Sequence, residues 1–175
     1  MTADAASNIV RPAAAGAVEI RPFVHADVPQ LLFLMRELAV FEDYIDEFAV
    51  TADALVKRGL GPDPEFRALV AADGGELVGM AVSYLVRFTW DLKPTACLKE
   101  LFVKPGRRGR GIARRLFTET ARLARADGAG AMRWSVLAGN GPAAGFYASL
   151  GGRHDRKWEP WLLDGRALET LLAAS

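Results

Sequence analysis

The chain has 175 residues, 51% of them hydrophobic and 25% charged, and a formal net charge of +1. That length favours one globular domain with a sizeable core. The composition excludes a disordered or fibrous chain, and the near-neutral balance gives no general electrostatic footprint for nucleic acid. Cys97 is the single cysteine, which excludes an intrachain disulfide and a cysteine-rich zinc site. It stands in an apolar stretch, where a buried, inert thiol is expected.

Residues 1–16 are rich in alanine but broken by Asp4, Asn8, Arg11 and Pro12. They lack the basic start and apolar core of a signal peptide and predict a flexible tail ahead of a single domain over 17–175. No apolar run approaches the ~20 residues of a membrane span. A cytoplasmic protein without membrane or nucleic-acid partners is the default expectation.

Val18 to Phe23 predicts a first strand. Asp27 is the best N-cap for a helix running to about Phe41, with Leu31, Leu34, Met35 and Leu38 at helical spacing. Thr51 caps a shorter helix to about Leu60, stopped by Gly61-Pro62-Asp63-Pro64. Phe66–Ala72 and Glu76–Val86 read as a hairpin around Asp73-Gly74-Gly75, and Ala96–Val103 as a further strand. Gly109–Ala126 is the strongest helix, with Ile112, Leu116, Leu123 and Ala124 inward and Gly128 as C-terminal cap. A strand over Met132–Leu137, a helix over Pro142–Leu150, a short strand pair around Trp158–Leu163 and a helix over Gly165–Ala173 complete the chain. The order is mixed α/β, with antiparallel hairpins first and a β-α-β crossover second.

The stretch Leu98-Lys-Glu-Leu-Phe-Val-Lys-Pro-Gly-Arg-Arg-Gly-Arg-Gly-Ile-Ala113 carries the chemistry. A strand runs through a Pro-Gly turn into a basic, glycine-punctuated loop that opens a helix. Gly109 and Gly111 let the backbone approach an anion without a Cβ in the way, Ala113 is small for the same reason, and Arg108 and Arg110 add charge suited to phosphate. Such N–H groups at a helix start suit a pyrophosphate. A solvated basic turn is the bland alternative. There is no Gly-Lys-Ser/Thr of a P-loop, and the third glycine of a dinucleotide loop is missing.

Arg108-Gly-Arg-Gly-Ile-Ala113 resembles the Arg/Gln-x-x-Gly-x-Gly/Ala acetyl-CoA motif of the GCN5-related N-acetyltransferase superfamily. Asn140-Gly-Pro-Ala-Ala-Gly-Phe-Tyr147, followed by Leu150-Gly151, is similar to that family's Asn-x-x-Ala-x-x-Phe-Tyr segment. The likeness runs over about residues 18–172. Ile20-Arg21-Pro22, Glu37-Leu38-Ala39, Phe41-Glu42 and Leu98–Val103 bring it nearest to the diamine (spermidine/spermine) acetyltransferase branch. The resemblance implies a central twisted mixed sheet of six to seven strands flanked by helices. It also implies a homodimer and acetyl transfer from acetyl-CoA, without a metal, to a primary amine by direct attack through a tetrahedral intermediate. The acceptor would be a small molecule resembling a polyamine, a diamine or an amino acid. A protein amine as acceptor and a catalytically silent acyl-CoA-binding module are the alternatives.

The same resemblance assigns roles. Backbone groups of Leu101, Phe102 and Val103 would face the acetyl-pantetheine arm, with the Val103 N–H a donor to the thioester oxygen. Arg108, Gly109, Arg110, Gly111, Ile112 and Ala113 would hold the pyrophosphate, and Asn140, Ala143 and Phe146 would complete the cofactor side. Tyr147 would protonate the departing thiolate, or else be an ordinary core aromatic. Lys99 replaces the first carboxylate of the diamine branch and would suit a substrate that carries a carboxylate. Glu100 is a base, directly or through water, or a structural carboxylate. Glu42 heads an acidic run with Asp43, Asp46 and Glu47, interleaved with Phe41, Tyr44 and Phe48. It would bind an amino group at the acceptor pocket, or belong to a solvated face. His25 and His154 are isolated surface or capping residues, and Trp158 and Trp161 are expected in the core or at a dimer contact.

Overall fold

A computed structural model describes residues 17–174, so the tail expected over 1–16 lies outside the described residues. The chain divides into two compact units, with the boundary between Ser135 and Val136.

The first unit is built on one sheet of five strands in the order β1 (Glu19–Pro22), β2 (Arg67–Asp73), β3 (Glu76–Val86), β4 (Thr95–Val103) and β5 (Ala131–Arg133). The first four pair antiparallel, and β5 joins β4 in parallel. Five strands among the described residues correct the expected six to seven. The expected 132–137 strand keeps a ladder only over Ala131–Arg133. The segment around Trp158–Leu163 forms no strand. Pro160 lies in its middle and has no N–H to give a ladder. Trp158 and Trp161 are exposed rather than in a core.

Helix α1 (Val28–Phe41) covers one face of the sheet. Its Leu31, Leu34, Met35 and Leu38 pack with Val70, Met80, Val82 and Phe102, and Leu55 of α2 (Ala52–Gly59) joins them. Met80 points toward α1, so its neighbour Gly79 faces the opposite side. There α3 (Ile112–Ala126) brings Leu116 so close that a Cβ on Gly79 would stand 3.3 Å from it and 2.8 Å from the Phe102 carbonyl oxygen. The buried row of α3 is Ile112, Leu116, Thr120 and Ala124, strictly four apart. Thr120 therefore takes the inward place expected of Leu123, and its hydroxyl is satisfied by the Leu116 carbonyl at 2.9 Å. Gly128 ends α3 as expected, with φ 82° and the Ala129 N–H bonded to the Ala124 carbonyl.

Two caps differ in an instructive way. Thr51 accepts from the Ala54 N–H and caps α2 as its sequence predicts. Asp27 stands at the start of α1, but its carboxylate serves the preceding turn. It accepts from the Val24 N–H at 2.8 Å and takes a two-pronged ion pair from Arg21 at 2.6 and 2.9 Å. Arg21, and then the Val24 N–H, hold the Asp27 carboxyl below the usual range. Cys97 is half-buried rather than buried, opposite Tyr84 on β3.

The second unit holds α4 (Gly141–Ser149) and α5 (Gly165–Ala173). Asp164 caps α5 through the Ala167 N–H at 2.8 Å. No described helix is long and apolar enough to cross a membrane.

Candidate active site

Three of the four predicted segments lie in the first unit. The first is the loop between β4 and α3. After Val103 the Lys104 N–H bonds to the Val78 carbonyl, and Pro105–Arg107 makes one tight turn. The Lys104 ammonium pairs with Glu76 at 2.8 Å, and Arg107 bridges Asp73 at 2.7 Å and Glu76 at 3.0 Å. These ion pairs fasten the root of the loop to the β2–β3 hairpin. Arg108 folds back and donates its Nε to the Val103 carbonyl at 2.9 Å.

Beyond it the backbone changes character. Gly109 and Gly111 both have φ 75°, a conformation that L side chains rarely adopt. A Cβ on either would meet nothing within 4 Å, so the face they present is open. No side chain caps α3 from Gly111. The first N–H groups of the helix therefore look outward with its positive dipole end, beside the exposed Arg110. Ile112 is buried and anchors the helix, so only its backbone faces the loop. The donor set fits an anion of pyrophosphate type.

The second segment is the edge of β4. Its parallel pairing with β5 covers Thr95–Cys97 only. From Leu98 to Val103 no described strand pairs with that edge. The side chains of Phe102 and Val103 are buried and that of Leu101 is half-buried.

The third is an acidic cluster where α1 ends near β4. The ladder between β3 and β4 matches Val82 with Glu100 but Ser83 with Leu98, which leaves Lys99 as the extra residue of a bulge. Lys99 is exposed and Glu100 is turned inward, half-buried. Oε2 of Glu100 is buried and meets no hydrogen-bond donor among the described residues. Burial pushes the Glu100 carboxyl above the usual glutamate value; nearby Lys99 opposes that and Glu42 adds to it.

Glu42 follows α1 directly. Asp43 takes a left-handed φ of 60°, and the Tyr44 N–H returns to the Ala39 carbonyl at 2.9 Å, a Schellman-type ending. That turn brings Tyr44 among the carboxylates. Burial first, then Glu100 and Glu42, push its hydroxyl up to about 12, so at neutral pH it holds its proton and can donate. Asp43, Asp46 and Glu47 are exposed. The acidic run thus divides: Glu42 joins Glu100, and the other three face solvent. Tyr44 and Glu37 were not among the expected site residues. Tyr44 was visible only as an aromatic inside the acidic run, and Glu37, which also has a buried oxygen without a donor among the described residues, only as part of the Glu37-Leu38-Ala39 resemblance, with no role of its own.

The Asn140–Tyr147 segment lies in the second unit. Asn140 caps α4, its Oδ1 accepting from the Ala143 N–H at 3.1 Å, which is a local reason for an Asn and a small residue three apart. Phe146 and Tyr147 are half-buried, with ring centroids 5.1 Å apart at 62°. Gly151, at φ 87°, ends the helix, and the Gly152 N–H reaches the Tyr147 carbonyl. His25 and His154 are exposed, and no described cluster of His, Cys, Asp and Glu could hold a metal.

Residues 31–151, well over half of the chain, match the Acetyltransferase (GNAT) family. The chain belongs to this family of acetyltransferases. Among curated relatives, this GNAT chain is 30% identical to the thialysine N-epsilon-acetyltransferase of Sus scrofa, over 88% of this chain and 96% of the relative. It is 28% identical to the human spermidine/spermine N(1)-acetyltransferase-like protein 1, over 83% of this chain but 22% of that longer protein. Solved GNAT-like structures agree in fold. An integron cassette protein from the V. cholerae mobile metagenome superposes with TM-score 0.74 at 22% identity, covering 89% of this chain and 97% of that one. An aminoglycoside acetyltransferase from a soil metagenome gives 0.69 at 20%, covering 84% and 97%.

Proposed function

We propose that this acetyltransferase uses acetyl-CoA to acetylate the primary amine of a small molecule, with the amine received at Glu42, Tyr44 and Glu100. The single observation that carries the acceptor side is the buried, donor-less Oε2 of Glu100. A buried carboxylate oxygen without a donor is costly, and an ammonium or amine arriving from solvent supplies the missing donor. Gly109 to Ala113 would hold the pyrophosphate by their backbone N–H groups, with Arg110 adding charge. The edge of β4 at Leu101–Val103, which no described strand pairs, would bind the pantetheine arm; for Asn140, Ala143 and Phe146 a cofactor role is supported by the family resemblance alone. When bound, acetyl-CoA supplies an acetyl thioester. Glu100, its proton affinity raised by burial, would take the proton of the amine. The Tyr44 hydroxyl oxygen would accept from an N–H of the substrate, and Tyr147 would give a proton to the leaving sulfur. The homodimer implied by the family resemblance belongs to the same proposal.

A second reading of the acceptor rests on Lys99. The bulge leaves an exposed ammonium beside the carboxyl of Glu100. A substrate with an amine at one end and a carboxylate at the other, an amino acid of lysine type, meets both charges with opposite signs. The thialysine acetyltransferase relatives fit that reading. Calorimetry with acetyl-CoA followed by a CoA-release screen of diamines against lysine-like amino acids tests both readings. Binding with turnover of either class is expected, and the preferred class decides between them. No acetyl-CoA binding at low salt would remove the whole proposal.

A further inference from the structure

Arg108 opens the glycine motif, at the place where a cation for phosphate is expected, yet its side chain is held elsewhere. Nε donates to the Val103 carbonyl at 2.9 Å. The guanidinium carbon then lies 5.4 Å from the ring centroid of Phe41 and 5.8 Å from that of Phe102. A planar guanidinium can do this because its edge donates while its faces stay free for aromatic rings; a lysine ammonium cannot. One side chain therefore ties the end of β4, the core beneath it and the last residue of α1.

Phe41 adjoins the acidic turn, and that gives its position weight. Glu42 is the next residue, and the left-handed Asp43 folds Tyr44 back onto Ala39 within two more. The turn is short and internally bonded, so it moves with the helix end. Phe41 itself is 52% exposed, so core packing holds only part of its ring, and the cation stack is a substantial share of its anchoring. Glu100 stands on the same strand, β4, three residues before the Val103 whose carbonyl Arg108 grips.

We propose that Arg108 is a positioning residue for the acceptor: it clamps the end of α1 against β4 and so sets where Glu42 and Tyr44 stand relative to Glu100. A residue of the cofactor motif thereby governs binding of the amine. The proposal rests on the reading of Glu42, Tyr44 and Glu100 as the acceptor pocket.

The experiment compares Arg108→Lys, Phe41→Leu, Phe41→Tyr and the Arg108→Lys/Phe41→Leu pair in the full chain. Acceptor KM is read by CoA release, acetyl-CoA affinity by calorimetry, and amide exchange at residues 42–44 by mass spectrometry. Arg108→Lys and Phe41→Leu are each expected to raise the acceptor KM about five-fold. The pair should raise it no further than either alone, and Phe41→Tyr, which keeps the ring, should leave it unchanged. Acetyl-CoA affinity should stay within about two-fold throughout. A phosphate ligand behaves in the opposite way. Arg108→Lys would then weaken acetyl-CoA binding, Phe41→Leu would do nothing, and the clamp would be overturned.

Should Arg108→Lys fail to fold, equal acceptor KM in Phe41→Leu and the wild type overturns the proposal on its own. Failure of the functional reading shows differently, as a wild-type chain that transfers to no amine. The exchange measurement then decides. Faster exchange at residues 42–44 in Arg108→Lys upholds the clamp, and unchanged exchange sinks it.

Discussion

The glycine loop and the acidic cluster treat charge in opposite ways. In the loop most of the cationic side chains are occupied by the protein, and the backbone is left open. Lys104 and Arg107 pair with Glu76 and Asp73, and the Nε of Arg108 is held by the Val103 carbonyl, while the backbone face at Gly109 and Gly111 is open. In the cluster Glu100 is matched with Val82 in the β3–β4 ladder and Tyr44 is bonded back to Ala39 in the turn after α1, while a side-chain oxygen of Glu100 is left without a donor among the described residues. A backbone cradle suits a large, doubly ionised, well-hydrated group, because dipoles spread over several N–H groups cost little to leave in water. A buried carboxylate selects a small cation that can shed its water and reach it. Donor and acceptor of an acetyl group need those two kinds of recognition, one each.

The largest expected effect breaks the cluster's side of this contrast. Glu100→Gln keeps the shape and removes the proton acceptor. If Glu100 is the base, kcat/KM falls about 10²–10³-fold, with acetyl-CoA affinity unchanged by calorimetry. The wild-type profile should rise with pH along a limb above the ordinary glutamate value of about 4.3, because burial keeps the proton on Glu100 to higher pH. That limb should vanish in the variant. Stability moves the other way. A carboxyl with a raised folded pKa costs stability once pH exceeds its unfolded value, and the cost grows until the folded pKa is passed. Glu100→Gln should therefore melt higher than the wild type at pH 8, and the difference should fade toward pH 4. A variant that turns over like the wild type would make Glu100 a structural carboxylate.

On the loop's side, Gly111→Ala tests whether the backbone does the binding. The φ of 75° costs an L residue about 1–2 kcal/mol, and the new Cβ would stand in the open face. Acetyl-CoA affinity should weaken about ten-fold while the acceptor KM holds. Arg110→Ala should weaken it less, about three-fold, with the loss shrinking as salt rises. If Arg110→Ala is the more damaging of the two, side-chain charge carries the loop and the contrast with the cluster collapses.

These regions also differ in how far they could be read before the fold was known. The loop was legible because its demands are local: a positive φ needs glycine, a helix start needs open N–H groups, and both follow one another in sequence. Thr51 was legible as a cap for the same reason. The cluster was legible only in part. Glu42 and Glu100 could be named, but the bulge that turns Glu100 inward and Lys99 outward is a property of the β3–β4 pairing, and a one-residue shift of register leaves no mark in either strand alone. Tyr44 enters through a left-handed Asp43, a residue type that merely tolerates that conformation. Strand number was overestimated where apolar runs stood in for ladders. Trp158 to Leu163 has strand-like composition, but with Pro160 at its centre it forms none. Asp27 has the residue type of an N-cap and uses its carboxylate on Arg21 and Val24 instead.

The smallest expected effect separates the two kinds of cation within the loop itself. Arg107 sits three residues from Arg110 and carries the same charge, yet it is bound on both sides, to Asp73 and Glu76, with its side chain about one-third exposed. Arg107→Met should lower stability by no more than about 1 kcal/mol, as partly exposed ion pairs do, and less in high salt. Thermal unfolding at two ionic strengths measures this. Its acetyl-CoA affinity should match the wild type, because a guanidinium already held by two carboxylates has little field left to offer a phosphate. Loss of affinity in Arg107→Met, equal to that in Arg110→Ala, would mean that the pyrophosphate senses the summed charge of the loop. The open backbone would then be an access route rather than the binding group.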